Sequence, residues 1–218
     1  MAFDAHTVKV SDASMLHQWV RVLRLQSGSQ VRLFNSEKEE RLCVIDRLDT
    51  LAAQLTVKDI VEPLIPEAEV YLCFSLLKKD KNTWVMQKAT ELGVSGFVPL
   101  VSKRTEKTGF DVERAHKIVV EASEQCGRSD VPTIHGPAAL VDVLSDMKAR
   151  TQVYIAEQGA RGVGQKAAEP VSIFVGPEGG WTEEEQALFE REGVELISLG
   201  AFTLRAETAS VAAATLLC

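Results

Sequence analysis

The apolar positions of this chain change rhythm near residue 66. Before it, short runs with strand-like character recur at His6 to Val10, Val31 to Phe34, Arg41 to Leu48 and Leu55 to Val61. A single stretch with helical spacing, Ser14 to Leu25, places Met15, Leu16, Trp19, Val20, Val22 and Leu23 together. These elements predict a small β-rich barrel with one short helix. Pro63-Leu64-Ile65-Pro66 reads as a stiff linker, so domains of 1–66 and 67–218 are expected.

After residue 67 strands and helices alternate. Strands are predicted over Val70 to Leu77, Val94 to Val101, Val131 to Ile134, Val153 to Ala156, Val171 to Val175 and Glu195 to Leu199. Helices are predicted over Asn82 to Leu92, Asp111 to Cys126, Ala138 to Lys148, Glu183 to Glu192 and Ala206 onward. The pattern is that of an α/β domain, a parallel sheet covered on both faces. Gln158 to Pro170, with four Gly or Pro residues, reads as a surface loop.

Two segments stand out where a strand-like run gives way to a helix. The first is Phe174-Val175-Gly176-Pro177-Glu178-Gly179-Gly180-Trp181; the second is Leu199-Gly200-Ala201-Phe202-Thr203-Leu204-Arg205-Ala206-Glu207-Thr208. Both belong at the C-terminal edge of the sheet, where open α/β folds bind ligands. Thr182 with Glu185 forms a capping box, and Glu183, Glu184 and Glu185 fill the first helical turn. Those carboxylates satisfy the helix dipole and repel phosphate. No G-x-G-x-x-G or G-x-x-x-x-G-K-[ST] occurs. The first loop therefore suits a neutral or cationic ligand gripped by backbone groups, or is a tight turn without a ligand.

Composition is that of an ordinary globular protein, 45% hydrophobic and 25% charged. No apolar run reaches membrane-spanning length, and no basic segment leads an apolar one at the N-terminus. Cys43, Cys73, Cys126 and Cys218 form no C-x-x-C pair. Neither metal nor a disulfide framework is expected, and a cytoplasmic location is the default. The net charge of −7 argues against nucleic acid until its distribution is considered. Residues 129–218 hold 6 Lys/Arg against 13 Asp/Glu, whereas residues 67–128 hold 10 against 9. Lys78-Lys79-Asp80-Lys81 and Lys103-Arg104-Thr105-Glu106-Lys107 can form a local basic face, or simply solvated loops.

The two C-terminal loops resemble the cofactor-binding signature of the SPOUT methyltransferase superfamily. Lys88-Ala89-Thr90-Glu91-Leu92-Gly93-Val94, Val98-Pro99-Leu100, Glu121-Ala122-Ser123-Glu124-Gln125-Cys126-Gly127-Arg128 and the early Val22-Leu23-Arg24-Leu25 with Gly28 and Val31 narrow the resemblance. Together they are similar, in order and over nearly the whole chain, to the bacterial 16S rRNA uridine N3-methyltransferase family. The resemblance implies a SPOUT-type knotted parallel-sheet domain that binds S-adenosylmethionine, preceded by a PUA-like β-barrel that helps hold RNA. It also implies a homodimer acting on 16S rRNA within the small ribosomal subunit. The sequence departs from the family in having only Met1 to Ala5 before its first strand, where an arginine-bearing segment is usual. Cys126 stands where serine is common, and the last helix is expected to be short at Cys218.

Carried onto this sequence, the family's cofactor contacts are Val175, Gly176, Pro177, Glu178, Gly179 and Gly180 on the first loop. On the second they are Leu199, Gly200, Thr203, Leu204, Arg205 and Thr208. Leu199 and Leu204 are placed to flank the adenine. Arg205 and Glu207 are the catalytic candidates: the arginine for a phosphate or a uracil oxygen, the carboxylate (or Glu178) for a proton. RNA contacts are expected from Arg21, Arg24 and Arg32, from Lys78, Lys79, Lys81, Lys103 and Arg104, and from Arg128. Another SPOUT enzyme, acting on tRNA or on ribose oxygen, and an inactive RNA-binding module remain as alternatives.

Overall fold

The computed structural model of the chain describes residues 6–35, 38–78, 80–106, 109–162 and 164–218. The short Met1 to Ala5 segment and the basic residues Lys79 and Lys107 lie outside the described residues. The chain divides into two compact units. One runs through Ile65 and includes Gly127–Asp130; the other comprises Pro66–Cys126 and Val131–Cys218.

In the first unit, β1 (Thr7–Val10), β2 (Gln30–Phe34), β3 (Glu40–Leu48) and β4 (Ala53–Val61) form an antiparallel sheet in the order β1-β4-β3-β2. Alternation buries one face: Val8, Val10, Leu33, Cys43, Ile45 and Leu55 pack with Leu16 and Trp19. The stretch read as one helix is two pieces. The helix α1 (Ala13–His17), capped by Asp12 Oδ1 accepting from Met15 N at 2.8 Å, widens into a π-helical turn, Gln18–Val22. The wider turn leaves Val22 and Leu23 exposed, 65% and 55%, beside exposed Arg21 and Arg24.

Gly127–Asp130 joins this unit through polar contacts that the sequence did not signal. Ser129 N donates to Leu64 O and Leu64 N to Ser129 Oγ, both at 2.8 Å. The Ser129 hydroxyl also bonds Glu40, a buried carboxylate that pairs with Arg32 Nε at 2.5 Å.

The second unit is a parallel sheet of β5 (Val70–Ser75), β6 (Gly96–Val101), β7 (Thr133–Ile134), β9 (Gln152–Ala156), β10 (Val171–Val175) and β11 (Glu195–Ile197), in the order β11-β9-β10-β5-β6-β7. A short β8 (Ala138–Ala139) pairs with β6, taking the place of the first turn predicted for a helix there. The helices are α2 (Lys81–Glu91), α3 (Val112–Cys126), α4 (Leu140–Lys148), α5 (Glu183–Glu192) and α6 (Ala206–Leu217). One apolar cluster packs α2, α3 and α6 against the sheet, and another packs α4 and α5. Every residue of β10 is buried. Its four large apolar side chains, each worth about 1.5–3 kcal/mol on burial, fix where the strand ends and hence where Gly176 begins its loop.

The 158–170 segment is more than a surface loop. Gly164 is buried, and an added Cβ would lie 2.6 Å from Leu216 Cδ2. Gly162 bridges in parallel to Ile197 and accepts from Ser198 N at 2.9 Å, while Ala167 N donates to Leu217 O at 2.9 Å. The segment is thus bonded both to the end of β11 and to the last helix. Gly162 and Gly164 serve close approach, whereas the exposed Gly159, at φ +78°, serves a turn.

Candidate cofactor site

Strands β11, β9 and β10 are neighbours, and the chain leaving each reaches one cavity of about 430 Å³. Ala156, Glu157 and Gln158 come from β9, residues from Val175 to Trp181 from β10, and residues from Leu199 to Ala209 from the segment after β11. Parallel strands put all three C-terminal ends on the same edge, so topology assembles the cavity.

Trp181 sets the shape of the β10 loop. Its indole Nε1 donates to Ala156 O at 3.4 Å, its ring meets Phe189 edge-on at 5.1 Å, and an added Cβ on Gly176 would approach Trp181 Cε2 to 3.0 Å. Thr182 then caps α5 in the predicted box. Its Oγ1 accepts from Glu185 N at 3.3 Å, and Glu185 Oε2 accepts from Thr182 N at 2.8 Å. The other oxygen of this buried glutamate accepts from Lys103 N at 2.8 Å, so it also holds the turn after β6.

Of the expected cofactor residues, Val175, Gly176, Pro177, Glu178, Gly180, Leu199, Gly200, Thr203, Leu204 and Arg205 line the cavity. Gly179 and Thr208 do not. Gly179 is turned to Arg104, whose guanidinium donates to Gly179 O at 2.6 Å and Trp181 O at 3.2 Å. Thr208 is an exposed residue in the first turn of α6. Glu157, just before the segment read as a loop, and Gln158, its first residue, also line the cavity and were missed, as were Phe202 and Ala209. The signal was available for Glu157: it follows a predicted strand just as Gly176 does.

Arg205 occupies the N-cap position of α6, where its side chain makes no capping bond and stays exposed at the cavity. Glu207 is not on the cavity wall. Its buried Oε2 lies 3.1 Å from Lys81 Nζ, an ionic contact without hydrogen-bond alignment. Burial opposes ionisation of Glu207, but its own backbone N–H, Lys81 and Arg205 outweigh burial and hold the carboxyl below its ordinary value. The same Lys81 Nζ is 3.1 Å from Glu178 Oε1, and the two carboxylates, Glu207 foremost, push the lysine up. On Glu157, by contrast, burial dominates: it raises the carboxyl against the weaker opposing bond from Gln186.

Several residues expected to face RNA are engaged elsewhere. Lys81 ties the two cavity loops, Arg104 braces the glycine loop, and Lys103 Nζ lies 3.7 Å from Glu184. Lys78 pairs with Glu106 and Arg32 with Glu40. Arg128 is the most buried of these residues. It is 6% exposed, with Nε and Nη2 bonded to Asp130 at 2.8 and 2.9 Å, so its guanidinium is not presented to a phosphate in solvent. Arg21 and Arg24 remain exposed. Among the described residues, no group of three or more His, Cys, Asp or Glu side chains is arranged to hold a metal, and no helix is long and apolar enough to cross a membrane.

Comparison with known proteins agrees with this arrangement. Residues 65–218 match the model of an RNA methyltransferase domain, and residues 20–58 that of an RNA methyltransferase PUA domain. Ribosomal RNA small subunit methyltransferase E of Synechocystis is 31% identical over 95% of this chain and 71% of its own. The Bacillus subtilis protein of the same name is 30% identical over 89% of this chain and 83% of its own. The crystal structure of a ribosomal RNA small subunit methyltransferase E from Neisseria gonorrhoeae, bound to S-adenosyl methionine, superposes with a TM-score of 0.90 at 25% identity, covering 98% of this chain and 92% of that one. The parallel sheet with its preceding antiparallel unit is accordingly the SPOUT-type fold, and the chain belongs to the RNA methyltransferase family that contains the ribosomal RNA small subunit methyltransferases E.

Proposed function

We propose that this protein is an S-adenosylmethionine-dependent methyltransferase of small-subunit ribosomal RNA, acting at N3 of a uridine in 16S rRNA. The observation that carries the proposal is the convergence of three neighbouring strand ends on one cavity, in a chain whose family methylates RNA. The cavity fits the cofactor. Its volume of about 430 Å³ lies in the range of small-molecule sites. Leu199, Leu204 and Ala209 offer an apolar wall for a purine, and Gly200, with open space where a Cβ would lie, leaves backbone open to close approach. The three glutamates beginning α5 disfavour phosphate there but tolerate a cation.

When bound, S-adenosylmethionine would supply the methyl group of its sulfonium, whose S–CH3 bond breaks to leave the neutral thioether S-adenosylhomocysteine, while uridine N3 would give up its proton to water. The protein's share is alignment and electrostatics. Arg205, exposed at the cavity, suits a phosphate or the charge developing on a uracil oxygen. Glu207 and Glu178, both ion-paired to Lys81, better suit orienting the loops than accepting a proton. In the first unit, Arg21 and Arg24 beside exposed Val22 and Leu23 offer charge for phosphate and an apolar surface for an unstacked base. We place the protein in the cytoplasm as a homodimer working on the small subunit, as the family resemblance implies.

The test is to map methylated nucleotides in ribosomal RNA from cells with and without the gene, and to assay purified protein on small subunits and on tRNA. A single N3-methyluridine in 16S rRNA that vanishes on deletion supports the proposal. Methylation of tRNA or of ribose oxygen would replace it with a different enzyme of the same fold.

A further inference from the structure

Charge inside the cofactor cavity is unevenly balanced. Glu178 is neutralised by Lys81, and Arg205 stands exposed at the edge. Glu157 also lines the cavity, yet no cation pairs with it among the described residues; its side chain has only a long 3.4 Å bond from Gln186 Nε2. Its backbone is anchored, with Glu157 N donating to Ile197 O at 3.0 Å at the ends of two paired strands. The backbone of Glu157 is thus held at a fixed place, and its carboxylate is short of partners among the described residues.

We infer that Glu157 is a cofactor-binding residue whose carboxylate faces the positively charged portion of S-adenosylmethionine. The inference rests on the function proposed above and deepens it. A partly buried carboxylate without a counter-ion is costly when empty, and burial favours its neutral form. A ligand that brings its own positive charge relieves that cost, whereas a neutral adenosine does not. The cavity would then distinguish the charged donor from uncharged adenosine thioethers through one side chain, while apolar and backbone contacts hold the purine. The neighbouring Gln186 amide shares Glu157 Oε1 and would keep the carboxylate aimed while the cavity is empty.

Calorimetric titration of the full chain with S-adenosylmethionine and with methylthioadenosine tests this. The second probe keeps the adenosine but carries no positive charge. For Glu157→Gln, the dissociation constant for S-adenosylmethionine is expected to rise about tenfold or more, with that for methylthioadenosine within about twofold of wild type. Gln186→Ala, which leaves the carboxylate in place, should retain most of the discrimination, and thermal melts establish that both variants fold. An equal loss for both probes assigns Glu157 to the adenosine and overturns the inference while leaving the proposed function intact. Unchanged affinities also overturn it. Failure of the wild type to bind either compound overturns both readings.

Discussion

Lys81 Nζ lies 3.1 Å from Glu207 Oε2 while standing at the first position of α2. A cation at a helix N-terminus is unfavourably placed against the dipole, so the lysine gains its position from Glu207 and from Glu178 across the cavity edge. It connects α2 to the loop after β10 and to the start of α6. Lys81→Met is therefore expected to weaken S-adenosylmethionine binding severalfold and, by leaving the buried Glu207 Oε2 without its cation, to lower the melting temperature at neutral pH. Calorimetry paired with a thermal melt checks this, and an unchanged affinity would mean the tie is incidental.

Two glycines should fail in different ways. Gly200 has φ +141° with open space around it, so Gly200→Ala is expected to distort the cavity wall by backbone strain and to lower ligand affinity. An added Cβ at Gly162 would press on the Leu196 carbonyl oxygen, so Gly162→Ala should destabilise the fold by about 1–3 kcal/mol. Denaturant titrations with and without ligand separate the two effects. The assignment fails if Gly200→Ala changes stability alone.

The capping box offers a graded test. Thr182→Ala removes one acceptor and should cost about 1 kcal/mol. Glu185→Ala removes the partner of both Thr182 N and Lys103 N, and should cost more than Thr182→Ala in the same melt. A smaller cost for the glutamate would show that the bond to the turn after β6 is dispensable.

Arg128 and the Arg21–Arg24 pair separate stability from RNA binding. Arg128→Ala leaves buried Asp130 without its cation and is expected to lower stability by about 3–5 kcal/mol. Arg21→Ala or Arg24→Ala should leave stability nearly unchanged. Each should reduce the slope of log affinity against log salt by about one in binding to a 16S rRNA fragment. Equal salt slopes for wild type and both variants would remove these residues from the interface.

Acid should act on Glu207 and Glu157 in opposite senses. Glu207 has its carboxyl held below the ordinary 4.5, so the stability it contributes is present above that pH and is lost as pH falls through the folded value. Glu207→Gln should melt below wild type at neutral pH, with the gap closing in acid. Glu157 is raised above 4.5, so its contribution is full below that pH and is lost as pH rises through the folded value. Glu157→Gln should thus melt at or above wild type at neutral pH without ligand. Melts from pH 3 to pH 8 decide both, and a Glu157→Gln variant that melts well below wild type at neutral pH contradicts the second.

The two glycine-rich loops were legible because their signals are local. A β-branched run, a Gly-Pro turn and a capping box are each spelled by adjacent residues, and α5 falls on Glu183–Glu192 as expected. The roles of the basic residues were not legible. Lys81 and Arg104 were read by charge alone, yet their partners are about a hundred residues away in sequence for Lys81 and seventy-five or more for Arg104. The burial of Arg128 is illegible for the same reason. Its neighbour Ser129 belongs to a contact with Leu64 and Glu40, which no window around residue 128 contains.

By itself, the order of amino acids determined the element types, the change from antiparallel to parallel architecture and the loops suited to a ligand, since periodicity, capping and turn chemistry act over a few residues. Only the tertiary structure decided which strand ends become neighbours and which charges are consumed in holding loops. It alone brought Glu157 to the cavity and left that carboxylate without a cation among the described residues. Those outcomes depend on sheet order and on pairing across long separations, where the energy of one contact is set by residues that no local pattern brings together.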